Sequence, residues 1–215
     1  IYFTYNKLFL SMGKLFVISA PSGTGKTSLI QSALKDPMAS SSKLGISCTT
    51  RDRRAEEIEG TSYFFISDDR FEEKILNNEF LEFAKVFGNY YGTPKDWVLA
   101  TLEKKENVIL ELDTQGALQV KARFPEANTI FIIPPSYEDL QKRLEKRNQD
   151  TDEVINARLK EAKKEVSIGK SFDRILVNND FDEALEDLKT LMFTNNDLPR
   201  NRKLHAEKSL DLLLD

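Results

Sequence analysis

Apolar residues in this chain fall into short unbroken runs separated by longer mixed segments. KLFVIS (14–19), NVILELD (107–113), NTIFIIPP (128–135) and FDRILVNND (172–180) are runs of the first kind. They read as strands buried on both faces, because a half-exposed strand would alternate. The segments between them carry apolar residues at helical spacing: 27–35, KDWVLATLEKK (95–105), TQGALQVKARF (114–124), SYEDLQKRLEKR (136–147), TDEVINARLKEAKKEV (151–166) and FDEALEDLKTLMF (181–193). Ser136 stands where a helix cap is needed. Strands alternating with helices predict an α/β fold, a three-layer α/β/α core around a parallel sheet.

The rhythm changes between residues 46 and 94. A short strand at 45–50 leads into the charged loop TTRDRRAEEIEGT, followed by a strand SYFFIS (62–67) and a capped helix DDRFEEKILNN (68–78). FLEFAKVF (80–87) alternates as a strand does, and GNYYGTP (88–94) reads as a turn holding two tyrosines. This is a small β-rich insertion between α/β pieces. Residues 36–42 read as a polar connection. The tail, 197–215, reads as a terminal helix, either loosely held or amphipathic and docking on a second copy in a homo-oligomer.

Composition narrows the classes. The chain has 215 residues, 40% of them hydrophobic, which fits one core with inserted subdomains. A formal charge of -4 gives no reason to expect a nucleic-acid partner. Cys48 is the sole cysteine and His205 the sole histidine, which excludes an internal disulfide framework and a zinc site built on those ligands. A single thiol suits a reducing, cytoplasmic setting. No apolar run is long enough to span a bilayer, so no membrane partner is expected. Residues 1–12 lack a signal-peptide pattern and are expected to be an extension outside the fold, disordered or not native.

The stretch SAPSGTGKTS (19–28) sits between the first strand and the first helix. Gly23 and Gly25 let successive backbone N–H groups converge, and with the following helix N-terminus they make an anion site. Ser22, Gly23, Thr24, Gly25 and Ser28 would line the phosphates of a nucleoside triphosphate. Lys26 would place its charge by the β- and γ-phosphates and Thr27 its hydroxyl on Mg²⁺. Ala20 occupies the position where such loops commonly carry a first glycine. Alanine suffices there if its torsions are not glycine-only.

SAPSGTGKTS, SCTTRDRRAEEIEGTSYFF, NNEFLEFAKVFGNYYGTP and ILELDTQGALQVK, in this order and at these spacings, resemble the guanylate kinases over residues 13–195. The resemblance implies a phosphate-loop NTPase core (13–45, 95–135, 166–196), a GMP-binding insertion (46–94) and a helical lid (136–165). It implies transfer of the ATP γ-phosphoryl group to GMP, with Mg²⁺, and closure over both nucleotides. It places Ser47, Arg51, Arg54, Tyr63 and Tyr91 in the GMP pocket. The chemistry agrees, since a phosphate dianion suits paired arginines and phenolic donors. Glu82 would accept both guanine donors, N1–H and the 2-amino group, with the Thr93 hydroxyl near O6. Spacing alone makes Glu82 an exposed strand residue.

Glu111 and Asp113 are two apart at a strand end and so expected on one face, near the nucleotides. The resemblance brings both to GMP, and Asp113 is expected to hold the metal through water. Arg147 and Arg158 are the expected catalytic arginines over the transferring phosphate, with Lys26 and Arg54, and Arg143 a weaker candidate. Asn178 and Asn179 match the segment near adenine. Three rivals stand beside this reading: a catalytically dead binding module of the same fold, another nucleoside monophosphate kinase, and a nucleic-acid-stimulated ATPase.

Overall fold

The computed structural model describes residues 12–86, 88–146, 151–194 and 196–215. The leading segment before Met12 and the candidate Arg147 lie outside the described residues. In chain order the elements are β1 (Leu15–Ser19), α1 (Lys26–Ala33), β2 (Ser42–Leu44), β3 (Cys48–Thr49), β4 (Phe64–Phe65), α2 (Asp68–Leu76), β5 (Phe80–Val86), β6 (Asn89–Pro94), α3 (Lys95–Glu103), β7 (Asn107–Glu111), α4 (Thr114–Arg123), β8 (Asn128–Ile133), α5 (Tyr137–Lys146), α6 (Asp152–Gly169), β9 (Arg174–Val177), α7 (Phe181–Phe193) and α8 (Arg200–Leu214). The larger sheet has the order β2-β7-β1-β8-β9, and the pairs β2–β7 and β8–β9 are parallel. This is the mostly parallel α/β arrangement expected of a phosphate-loop NTPase. Among the described residues no helix is long and apolar enough to cross a membrane.

The chain divides into two compact units. The first holds the described residues up to Val17 together with Ser41–Ala127. Its parallel pair β2–β7 is continued by Val108, Ile109 and Leu110, all buried, and α3 packs on β7 through Val98 and Leu102. A second sheet, ordered β4-β3-β6-β5, belongs to the same unit. Its core is Cys48, Phe71 and Phe80. The Phe71 ring, fully buried, stacks on Phe80 (centroids 4.4 Å apart) and on Tyr90 (5.1 Å). Helix α2 delivers Phe71 because Ser67 caps it by accepting from the Arg70 N–H, while Asp68 and Asp69 complement the dipole of its first turn. Phe71→Ala is expected to destabilise the chain by about 3–5 kcal/mol, read from the denaturant midpoint. A change below about 1 kcal/mol would mean that this small sheet does not depend on that stack.

The second unit holds Ile18–Ser40 and Asn128–Asp215. The run Ile130 to Ile133 is buried throughout, as its unbroken apolar sequence requires. Helix α7 packs on α1 and on β9, with Ala184, Leu188 and Met192 buried, and Asp180 caps it by accepting from the Glu183 N–H. Lys189 of α7 pairs with Asp36 beyond α1 (2.7 Å). Helices α5 and α6 pack through Leu140, Leu144, Ile155 and Ala162.

Four local expectations are corrected. GNYYGTP is not a turn: Asn89–Pro94 is strand β6, paired antiparallel with both β3 and β5, and Gly88 (φ 86) carries the reversal. The strand expected at 45–50 shrinks to Cys48–Thr49, and an unexpected strand, Ser42–Leu44, forms because β7 offers it a parallel partner. Asp113 is not a strand residue sharing a face with Glu111. It is the N-cap of α4, accepting from the Gly116 N–H at 2.8 Å. The tail is not loosely held: α8 packs on β9 and α6 of its own unit, burying Ala206, Leu210 and Leu213.

Candidate active site

The phosphate loop lies in the second unit. Gly23 (φ 92) and Gly25 (φ 94) both adopt left-handed torsions, and Gly25 is the N-cap of α1, whose first residue is Lys26. A Cβ on Gly23 would also sit 2.8 Å from Leu144 Cδ2, so helix α5 packs directly on this turn. Ala20 is buried and is not among the left-handed residues, so alanine suffices there. The buried hydroxyls of Ser19 and Thr24 have no hydrogen-bond partner. Buried hydroxyls are ordinarily bonded, so the loop carries polar groups suited to a polar ligand.

Side chains from three other elements converge on the loop. Asn178, buried just after β9, donates to the Thr24 carbonyl oxygen (2.7 Å). Arg143 of α5 donates to the Asn178 carbonyl oxygen (2.7 Å) and to that of Thr24 (3.4 Å). Arg158 of α6 donates to the Ser22 hydroxyl (3.3 Å). A cavity of about 290 Å³ opens here, lined by Gly25, Ser28, Arg143, Asn178, Asn179 and Phe181. Arg143, the weaker candidate in the sequence, therefore borders both the loop and the cavity.

The candidate acceptor pocket lies in the first unit. Glu82 of β5 is 3% exposed, which corrects the spacing-based expectation of an exposed strand residue. Its Oε1 accepts from the Thr93 hydroxyl at 2.6 Å, and the Thr93 hydroxyl is 3.4 Å from that of Ser47. A Cβ on Gly116 would sit 2.7 Å from Glu82 Oε2, so the bare helix face at that position makes room for the carboxylate. Burial pushes the Glu82 carboxyl up to about 7, against the pull of the Thr93 hydroxyl, and the Asp113 carboxylate pushes it further the same way.

A second cluster surrounds Arg51. Its Nη2 meets Glu57 Oε1 at 2.6 Å, Nε donates to the Tyr91 hydroxyl (3.2 Å), and Nη1 donates to the Asp52 carbonyl oxygen (2.7 Å). Tyr63 stands edge-on to Tyr91 (5.8 Å), with the Arg51 guanidinium 5.6 Å from its centroid. Burial raises the Tyr63 phenol, as does the Glu111 carboxylate, so the phenol stays a donor. Arg54 is exposed, and its backbone N–H donates to Glu57 Oε2 (2.8 Å). The structure thus brings Arg51, Tyr63 and Tyr91 together, and joins Ser47, Glu82 and Thr93, with Asp113 felt at Glu82.

Sequence reasoning missed Glu57. One carboxylate holds the Arg51 side chain and the Arg54 backbone, and the Arg51 cation keeps the Glu57 carboxyl below its ordinary range. A lone acid six residues beyond an arginine in a charged loop carries no periodic signal that would single it out. Glu57→Gln is expected to raise KM for GMP about tenfold, with KM for ATP unchanged, because the guanidinium loses its charged brace. A fall in KM for GMP would instead make Glu57 a competing anion. Cys48 stays bland, its thiol pushed up to about 11 by burial among Phe71 and Phe80.

Known proteins resemble this chain over most of its length. The family model for guanylate kinase matches residues 12–195. A guanylate kinase of Hahella chejuensis is 50% identical over 182 residues, covering 85% of this chain and 86% of its own. One from Alkalilimnicola ehrlichii is 46% identical over 202 residues, covering 94% and 98%. Among solved structures, a guanylate kinase from Anaplasma phagocytophilum superposes with a TM-score of 0.72 at 29% identity, covering 94% of this chain and 95% of its own. With the phosphate loop and the buried glutamate in place, the chain belongs to the guanylate kinase family.

Proposed function

We propose that the chain transfers the γ-phosphoryl group of ATP to GMP, giving ADP and GDP, in a cytoplasmic setting. As a member of its family it is a nucleoside monophosphate kinase, a transferase. The observation that carries the choice of acceptor is the buried Glu82–Thr93 pair. A carboxylate held there accepts two adjacent donors, which guanine presents and adenine does not. A site built around such a pair rejects a base that leaves it unpaired.

The family resemblance implies the roles, and the placement of the described residues supports them. The loop N–H groups of Ser22 to Ser28 hold the triphosphate, and the Lys26 charge meets the β- and γ-phosphates. Asn178 and Asn179 border the adenine side, with Arg143. Arg51, Arg54, Tyr63 and Tyr91 grip the GMP phosphate, while Ser47, Glu82 and Thr93 read the base, with Glu111 and Asp113 on the same side. Arg158, already on the loop, and Arg147 neutralise charge on the transferring group.

The donor set also fits Mg²⁺. Among the described residues no cluster of three acidic, Cys or His side chains could cage a metal ion, which suits an ion held chiefly by phosphate oxygens and water. Thr27 would supply a hydroxyl to it. Bound there, the ion would neutralise phosphate charge.

The test is an ADP-release assay with MgATP and each of GMP, AMP, CMP and UMP. Turnover with GMP alone is expected. Turnover with another monophosphate would keep the kinase chemistry and overturn the pocket. GMP binding without turnover would make the chain a binding module.

A further inference from the structure

Strand β5 ends the sheet order β4-β3-β6-β5, so among the described residues one of its edges has no strand partner. Such an edge presents unpaired backbone groups. Here α4 supplies partners from its side chains. Gln119 Nε2 donates to the Phe83 carbonyl oxygen (2.8 Å), and the Phe83 N–H donates back to Gln119 Oε1 (3.3 Å). Arg123 Nη1 donates to the Leu81 carbonyl oxygen and, at 3.3 Å, to that of Phe80. Positions four apart share a helix face, so both side chains meet the same stretch of β5.

The clamped residues flank Glu82 on both sides. Phe80 and Leu81 are also where the register with β6 shifts: Phe80 pairs with Pro94, and Glu82 with Thr93. A bulge breaks the period of two and re-aims the side chain that follows. Phe80, Leu81 and Glu82 are accordingly all buried in succession, which an unbroken strand with one wet face would not allow. One helix therefore holds the bulge carbonyls through Arg123 and the next residue through Gln119, and clears space for the carboxylate at Gly116.

We propose that Arg123, assisted by Gln119, is a positioning residue for base selection, pinning the β5 bulge so that the Glu82 carboxylate faces the guanine base. The inference rests on the reading of Glu82 as the guanine acceptor. Arg123 does not itself touch substrate. It also acts through charge. The ionisable groups felt at Glu82 are Asp113 at the head of α4, which disfavours the carboxylate, and Arg123, which favours it, while β6 offers the uncharged Thr93 hydroxyl.

The experiment compares wild type with R123M, R123K, Q119L and E82Q, all in the full chain. Initial rates are measured with GMP and with IMP, which lacks the 2-amino donor, across neutral pH, beside thermal unfolding. R123M is expected to lower the preference for GMP over IMP and raise KM for GMP, each about tenfold, as small misplacements of a reading group do. KM for ATP should not move, and the acid limb of kcat/KM for GMP should shift to higher pH. R123K should recover part of the loss. A merely structural arginine would lower the unfolding midpoint and leave preference and pH profile alone, and that result in folded R123M overturns the proposal while E82Q still loses its preference. If R123M fails to fold, R123K and Q119L are read the same way. If E82Q itself keeps the preference, the reading of Glu82 falls, and the proposal with it.

Discussion

Lys26→Met is expected to lower kcat about 10³-fold, the scale seen when one preorganised charge is removed from a transition state. Lys26 opens α1 immediately after the left-handed Gly25. Methionine keeps the length, the apolar stem and the helix propensity of lysine, so the turn and its converging N–H groups persist. Only the cation is lost, and in phosphoryl transfer charge neutralisation and alignment are nearly all the protein supplies. Lys26 is assigned to the donor phosphates and not to GMP, so GMP affinity should stay within about twofold, whereas turnover collapses. Steady-state rates with calorimetric GMP titration separate the two. A kcat within tenfold of wild type would remove Lys26 from the phosphate site.

Glu82→Gln is expected to reduce the preference for GMP over AMP by about 10²-fold or more, because the glutamine offers one acceptor and one donor where guanine needs two acceptors. pH gives a second reading. The carboxylate is the form that accepts both donors, and burial holds its pKa at about 7. Wild-type kcat/KM for GMP should therefore fall as pH drops through about 7. The phosphate of GMP also titrates, near about 6. An acid limb that persists in E82Q belongs to the substrate, and one that vanishes belongs to Glu82.

Stability provides a check on the same group with the sign reversed from the usual carboxylate. Its folded pKa, about 7, lies above the ordinary 4.5, so the native state binds the extra proton between those values. Stability from this group is thus fully present below 4.5 and lost as pH rises to about 7. The cost of keeping it ionised above that is about 3 kcal/mol. Glu82→Gln should remove this slope from the unfolding free energy. An unchanged slope would mean that Glu82 is not the buried titrating group.

The core elements were legible because their signals are local. β1, β7, β8 and β9 each hold three or more consecutive apolar residues, and the helix after β9 has its cap residue, Asp180, in the sequence. The phosphate loop was legible for the same reason: its glycines are demanded by left-handed torsions within five residues of one another, a requirement written in the chain itself.

The insertion was less legible. GNYYGTP carries the composition of a turn, yet β3 and β5 both pair with it, and pairing outweighs composition. Asp113 looked like a strand end because β7 runs up to it, but its side chain is better used in closing the first turn of α4. Arg123 and Gln119 look like ordinary polar positions on a helix until the free edge of β5 lies beside them.

By itself, then, the sequence determined the α/β core and the phosphate loop. These follow from periodicity, from torsions only glycine adopts and from motif spacing, all properties of neighbours along the chain. Tertiary structure alone decided that Glu82 is buried and partly protonated near neutrality, that Glu57 braces Arg51, and that α4 sets the bulge on which Glu82 stands. Burial and side-chain pairing, as between Phe83 and Gln119 (36 apart), depend on contacts that no local pattern encodes.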